Sequence, residues 1–217
     1  MATKKATESV ITLNPIDVKY ATITIEGDGD IVLNKMNARN ERALNDRDNK
    51  KVREIPNKWE DLATAIHWKD EAYNGIDTYK DIDEAYFYEL LSKNAPCISG
   101  FGLKKSWGQA VVRNAIYKYA TKFDNAVNVI ADRGVIPITF AQWSCDERLM
   151  SPKKGSPVKV FLNHFGGWRA EFKIAYTENV FNLNSIVSII NLAGFGLGIG
   201  SGRTSGYGRY HVVEVKA

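Results

Sequence analysis

Between residues 194 and 210 the chain reads Gly-Phe-Gly-Leu-Gly-Ile-Gly-Ser-Gly-Arg-Thr-Ser-Gly-Tyr-Gly-Arg-Tyr, and seven of its 17 glycines fall in that stretch. Every glycine costs conformational entropy when it is ordered, so a plain connection carries one or two. Seven imply backbone at positive φ, or a main chain laid bare for close approach by another molecule. Exposed N–H groups beside a helix end suit phosphate oxygens. Arg203 and Arg209 add guanidinium forks of matching geometry, and Tyr207 and Tyr210 add flat faces for a nucleobase. The expected contact set is Gly198, Gly200, Gly202, Arg203, Gly206, Tyr207, Gly208 and Arg209, helped by Lys104, Lys105 and Arg113. A structural loop with solvated arginines is the competing reading.

Other chemistries fit the residues less well. Gly196-Leu197-Gly198 resembles the start of a dinucleotide fingerprint, but here the glycines follow a helix and precede a strand, the reverse of what that fingerprint needs. No Gly-Lys-Ser/Thr occurs, which excludes a Walker A loop. Asp28 and Asp30 lie in a Gly-Asp turn, where acids are expected anyway. Asp81, Asp83 and Glu84 fit a helix N-terminus. Cys97 and Cys145 are the only cysteines, with no Cys-x-x-Cys pair, so neither a disulfide framework nor a zinc site is expected. The residues call for no metal and no cofactor.

The elements that must position the loop follow from patterning. A chain of 217 residues with 44% hydrophobic and 25% charged residues fits one domain, 1–217, and a net charge of +4 permits a polyanionic partner without demanding one. Residues 1–14 read as a flexible polar arm. The longest apolar stretch, 186–197, is too short for a bilayer, so a soluble, cytoplasmic protein without a membrane partner is expected. Residues 18–25 alternate as a strand, Glu26 to Asp30 form a turn, and Ile31-Val32-Leu33 is expected to return as the hairpin partner. Asn34 to Lys58 is polar and basic, either a solvated helix with a linker or a flap that touches phosphates. The aromatic, acidic stretch 56–94 shows helical spacing at Trp59, Leu62, Ala63 and Ile66, and again at Phe87, Leu90 and Leu91.

The spacing of Trp107, Val111, Ala115 and Tyr119 predicts an amphipathic helix over 103–122. Strands are predicted over 135–140, with Pro137 suited to an edge or a strand start, and over 158–162 and 169–176. Lys153, Lys154 and Gly155 lie in a polar loop between them. Asn182 or Asn184 caps a helix that is apolar nearly all round and is therefore expected to be deeply buried. Gly194 is expected to end that helix in a left-handed conformation. The glycine loop then leads to a last strand over 209–215.

That order, with Gly-Ile-Gly-Ser-Gly-Arg-Thr-Ser-Gly-Tyr-Gly-Arg, resembles the RAMP superfamily of CRISPR-associated RNA-binding proteins. The resemblance implies an α+β, ferredoxin-like antiparallel sheet with two packed helices, a glycine-rich loop that contacts the RNA backbone, and a helical insertion over 34–102. The chain also resembles small proteins of tailed bacteriophages, through Trp168-Arg169, Ala193-Gly194, the Gly-Ile-Gly turn and Tyr-Gly-Arg-Tyr. RAMP-type processing enzymes use a histidine on a 2′-hydroxyl. None of His67, His164 and His211 maps onto such a site, so no catalytic role is assigned. The expected function is non-catalytic binding of single-stranded RNA or DNA. The alternatives are a self-assembling or host-protein-binding scaffold and a metal-independent endoribonuclease.

Overall fold

The computed structural model describes residues 16–45, 55–75, 79, 81–150 and 157–217. The arm expected over 1–14 and the loop with Lys153, Lys154 and Gly155 lie outside the described residues, as do Arg47, Lys50, Lys51 and Arg53 of the basic stretch. In chain order the elements are β1 (Val18–Gly27), β2 (Ile31–Leu33), α1 (Ala38–Asn45), α2 (Lys58–Thr64), β3 (His67–Trp68), α3 (Glu84–Lys93), β4 (Pro96–Ser99), α4 (Gly100–Arg113), α5 (Thr121–Ala126), β5 (Val127–Ile130), β6 (Val135–Thr139), β7 (Gln142–Met150), β8 (Val158–Gly166), β9 (Arg169–Thr177), α6 (Leu183–Gly196) and β10 (Tyr210–Lys216). No helix among the described residues is long and apolar enough to cross a membrane.

Strict alternation builds the central sheet. Ala21, Ile23 and Ile25 of β1 and Ala170, Phe172, Ile174 and Tyr176 of β9 are all buried, because successive side chains point to opposite faces. The strands run β10-β1-β9-β6-β4-β3, with β5 also pairing β9, and every pairing is antiparallel. Taken with α4 between β1 and β5, and α6 between β9 and β10, this is the fourth-first-third-second strand order of a ferredoxin-like α+β fold. Trp107 of α4 packs on Phe172 at 5.7 Å between ring centroids. Its Nε1 donates to the Tyr210 hydroxyl at 3.1 Å, tying α4 to β10. Complete burial pushes the Tyr210 hydroxyl up to about 12, so it remains a neutral partner there.

A second sheet, β2-β8-β7, stands beside the first. Its inner face carries Phe161, Asn163 and Phe165. Fully buried Asn163 is satisfied on both sides. It donates through Nδ2 to the Leu62 carbonyl at 2.9 Å and accepts from Trp143 Nε1 at 3.0 Å, which fixes α2 and β7 on β8.

Several local expectations are corrected by these contacts. β2 does not return onto β1; it pairs β8 through Ile31↔Phe165 and Leu33↔Asn163, with all three of its residues buried. The helix expected over 103–122 stops at Arg113. Ala115 has φ of 55°, Tyr119 is exposed, and a separate short helix follows. Gly194 lies inside α6, which continues to Gly196. A Cβ at Gly194 would sit 1.9 Å from the Tyr210 carbonyl oxygen, so this glycine lets β10 approach the helix. Only one side of α6 is covered: Ile186, Ile189, Ile190 and Ala193 are buried, while Phe195 is exposed. β6 pairs on both sides, but its ladder with β9 begins at Ile138, just past Pro137. The stretch 34–102 contains α1, α2 and α3, and also β3 and β4, which extend the central sheet.

Candidate nucleic-acid interface

The glycine loop begins where α6 runs out of partners for its last carbonyls. Leu197 and Gly198 both donate to the Ala193 carbonyl at 2.9 Å, and Gly198 has φ of 67°, the left-handed helix ending that glycine permits. The chain then folds against β2 and onto itself. Ile199 donates to Gly208 at 2.9 Å, Ser201 to Val32 at 2.8 Å and Gly208 to Asp30 at 2.8 Å. Gly208 has φ of 71°, and a Cβ there would lie 1.8 Å from the Ile199 oxygen. One turn of 3-10 helix, Arg203–Ser205, forms the tip between Gly202 and Gly206, both left-handed.

These bonds divide the expected contact set. The amides of Gly198, Gly206 and Gly208 are donated within the protein, and those glycines shape the loop. The amides of Gly200 and Gly202 have no acceptor among the described residues. Tyr207 is half-buried, edge-on to His164 at 4.9 Å, with its hydroxyl 3.5 Å from Arg148 Nη2. His164 is itself buried, its two ring nitrogens 3.8 Å from Asp30 and Asp146. Tyr210 is fully buried and offers no face to a base.

Neither loop arginine is in an ion pair among the described residues. Arg203 is exposed at the tip. Arg209 reaches the Arg203 carbonyl with Nη2 at 3.5 Å, while its buried Nη1 has no acceptor.

Arg203, Gly200 and Ser201 form one wall of a cleft of about 350 Å³. The same cleft is lined by the cap residue Ser99, by Gly102, Lys105 and Gln109 of α4, and by Lys35 and His67. No aspartate or glutamate lines it. Ser99 caps α4 by accepting from the Gly102 amide at 3.0 Å, so the positive end of a 14-residue helix faces the same space. Burial holds the Lys35 ammonium below its usual range, against the opposing pull of Glu41. Burial, then the nearby Lys35 charge, likewise holds His67 down.

Lys35 and His67 lie outside the expected contact set, although Lys35 belongs to the basic stretch 34–58, read in one alternative as a flap that touches phosphates. Lys35 sits in the connection from β2 to α1 and His67 in β3, and no spacing links them to Lys105 or Arg203. Lys104 and Arg113 point elsewhere. Lys104 Nζ donates to Asn128 Oδ1 at 2.7 Å, and Arg113 lines a neighbouring groove between α4 and α5. Among the described residues no group of three or more His, Cys, Asp or Glu is placed to hold a metal ion.

No protein-family model matches the sequence, and no curated protein matches it significantly. Among solved structures, the chain is similar to one from the cryo-EM structure of the type III-B Cmr-beta bound to cognate target RNA, with 12% identity, a TM-score of 0.48 and 92% of the present chain covered. It spans 60% of the length of that chain. It is also similar to Cmr6 from Pyrococcus furiosus, with 11% identity, a TM-score of 0.40, and 92% and 100% of the two chains covered.

Proposed function

We propose that this protein binds single-stranded RNA or DNA without cleaving it, holding the phosphates in the cleft between the glycine loop and α4. One observation carries the reading: Lys35, Lys105 and Arg203 share a cleft that no carboxylate lines. Cations gathered near a helix N-terminus, with no carboxylate lining the same cleft, attract an anion, and a polyanion satisfies several of them at once. The free amide of Gly200, which lines the cleft, adds a neutral donor. At about 350 Å³ the cleft lies at the lower end of small-ligand sites, suited to one strand. Contacts of this kind position a backbone and read little sequence. The resemblance of the whole chain to tailed-phage proteins supports, as part of this proposal, action in the cytoplasm of an infected host.

A second reading, metal-independent cleavage of RNA, draws on His67, which lines the same cleft. One experiment separates the two. Fluorescence anisotropy with labelled single-stranded RNA and DNA at two salt concentrations, in the presence of a chelator, reads binding, and gels of the same samples read cleavage. Binding that weakens steeply with salt and leaves both strands intact is expected. No binding at low salt would end the first reading, and RNA cleavage lost in His67→Ala would replace it with the second.

A further inference from the structure

We propose that Phe101 and the groove beside it form the base-stacking subsite for the strand whose phosphates lie in the cleft, an inference that rests on the binding function above. Phe101 stands in the first turn of α4 with 73% of its surface exposed, although a phenylalanine gains most from burial. Phe195 is more exposed, but among the described residues no cation sits over its ring, whereas Lys105 Nζ lies 5.9 Å from the Phe101 centroid. The groove next to Phe101, about 610 Å³, has Gly108, Val112 and Ala120 as its apolar floor. A Cβ at Gly108 would lie 2.8 Å from Asp124 Oδ1 and 3.1 Å from Ala120 Cβ, so glycine lets α5 close against α4 and shape that floor.

Charge and continuity choose the occupant. Lys104, Lys105 and Arg113 line the groove against one carboxylate, Asp124, which favours an anionic chain with flat apolar parts. Lys105 and Gln109 line both the groove and the cleft, so one strand can cross from one to the other. Phe101 and Lys105 are one helical turn apart, about 5–6 Å between Cβ atoms on a shared face. A base can therefore lie on the ring while its own phosphate meets the ammonium. Any base has a face to stack, so the subsite is sequence-tolerant.

The test compares wild type, Phe101→Ala and Phe101→Trp, with a single-stranded thymidine oligonucleotide and an abasic strand of equal length and charge. Phe101 is exposed, so neither change threatens the fold. Wild type should prefer the strand with bases. Phe101→Ala should lose at least about fivefold in affinity for it, with affinity for the abasic strand and the salt dependence unchanged, and Phe101→Trp should restore binding. A 2-aminopurine strand should be quenched by wild type and not by Phe101→Ala. If Phe101→Ala matches wild type on both strands, the subsite is wrong and the phosphate cleft stands. If wild type binds neither strand, both proposals fall. If light scattering shows a concentration-dependent oligomer that Phe101→Ala dissolves, the groove is a protein interface instead.

Discussion

Two regions of this protein carry cations, and the structure treats them in opposite ways. In the α1–α2 pair, Arg39 makes two bonds to Asp61 Oδ2, at 2.6 and 3.1 Å, and one to Oδ1 at 3.1 Å, with side chains only 7% and 1% exposed. Its neighbour Arg42 reaches Glu60 at 2.7 Å. In the cleft, Lys35, Lys105 and Arg203 have no lining acid. Counting basic residues cannot tell these regions apart; counting their partners can. A cation with a buried carboxylate holds the fold together, whereas one facing an acid-free cleft is, under the proposed function, available to a ligand.

The largest effect expected from that contrast is on stability. Arg39→Ala leaves the Asp61 carboxylate buried and unpaired and should cost about 3–5 kcal/mol, seen as a lower urea midpoint. The folded fraction should bind single strands with an unchanged salt slope. Replacing both partners, Arg39→Met with Asp61→Leu, should recover most of the loss, since an apolar pair needs no compensating charge. A slope altered by Arg39→Ala alone would mean that α1 contacts phosphate after all.

The intermediate effect is on binding. Arg203→Ala and Lys105→Ala should each leave stability within about 0.5 kcal/mol and each lower the slope of log affinity against log salt by about 1. Titrations at several salt concentrations decide this, and two unchanged slopes would erase the distinction between the regions.

The smallest effect is on pH. An anion in the cleft favours protonated Lys35 and His67, whose free-state pKa values are both lowered. Binding therefore takes up protons, and affinity should increase as the solution is acidified through the His67 range below 6.5. The expected gain is about two- to fivefold, within the tenfold that one pKa unit allows. His67→Gln should flatten the acid limb. On the alkaline side affinity should fall earlier than an ordinary lysine would dictate, as Lys35 loses its proton.

Much of the framework was legible because it is periodic. β1 and β9 alternate, α2 and α3 carry their apolar residues at helical spacing, and the succession of α6, glycine loop and β10 follows from local composition. β7 escaped detection because its charged outer residues and half-buried Trp143 and Cys145 lack the contrast of a core strand. The β2 pairing escaped because three buried residues in a row favour no particular partner.

The residues alone determined the main strands and helices and a glycine loop with two arginines ahead of the last strand, since strand and helix periods and backbone freedom are local properties, while the antiparallel α+β arrangement was implied by the resemblance to RAMP proteins. Tertiary structure decided which glycines serve close packing, which cations meet a carboxylate, and that Lys35, His67, Lys105 and Arg203 surround one cleft. Those outcomes depend on which elements lie side by side, and electrostatic pairing acts over a few ångströms of space regardless of distance along the chain.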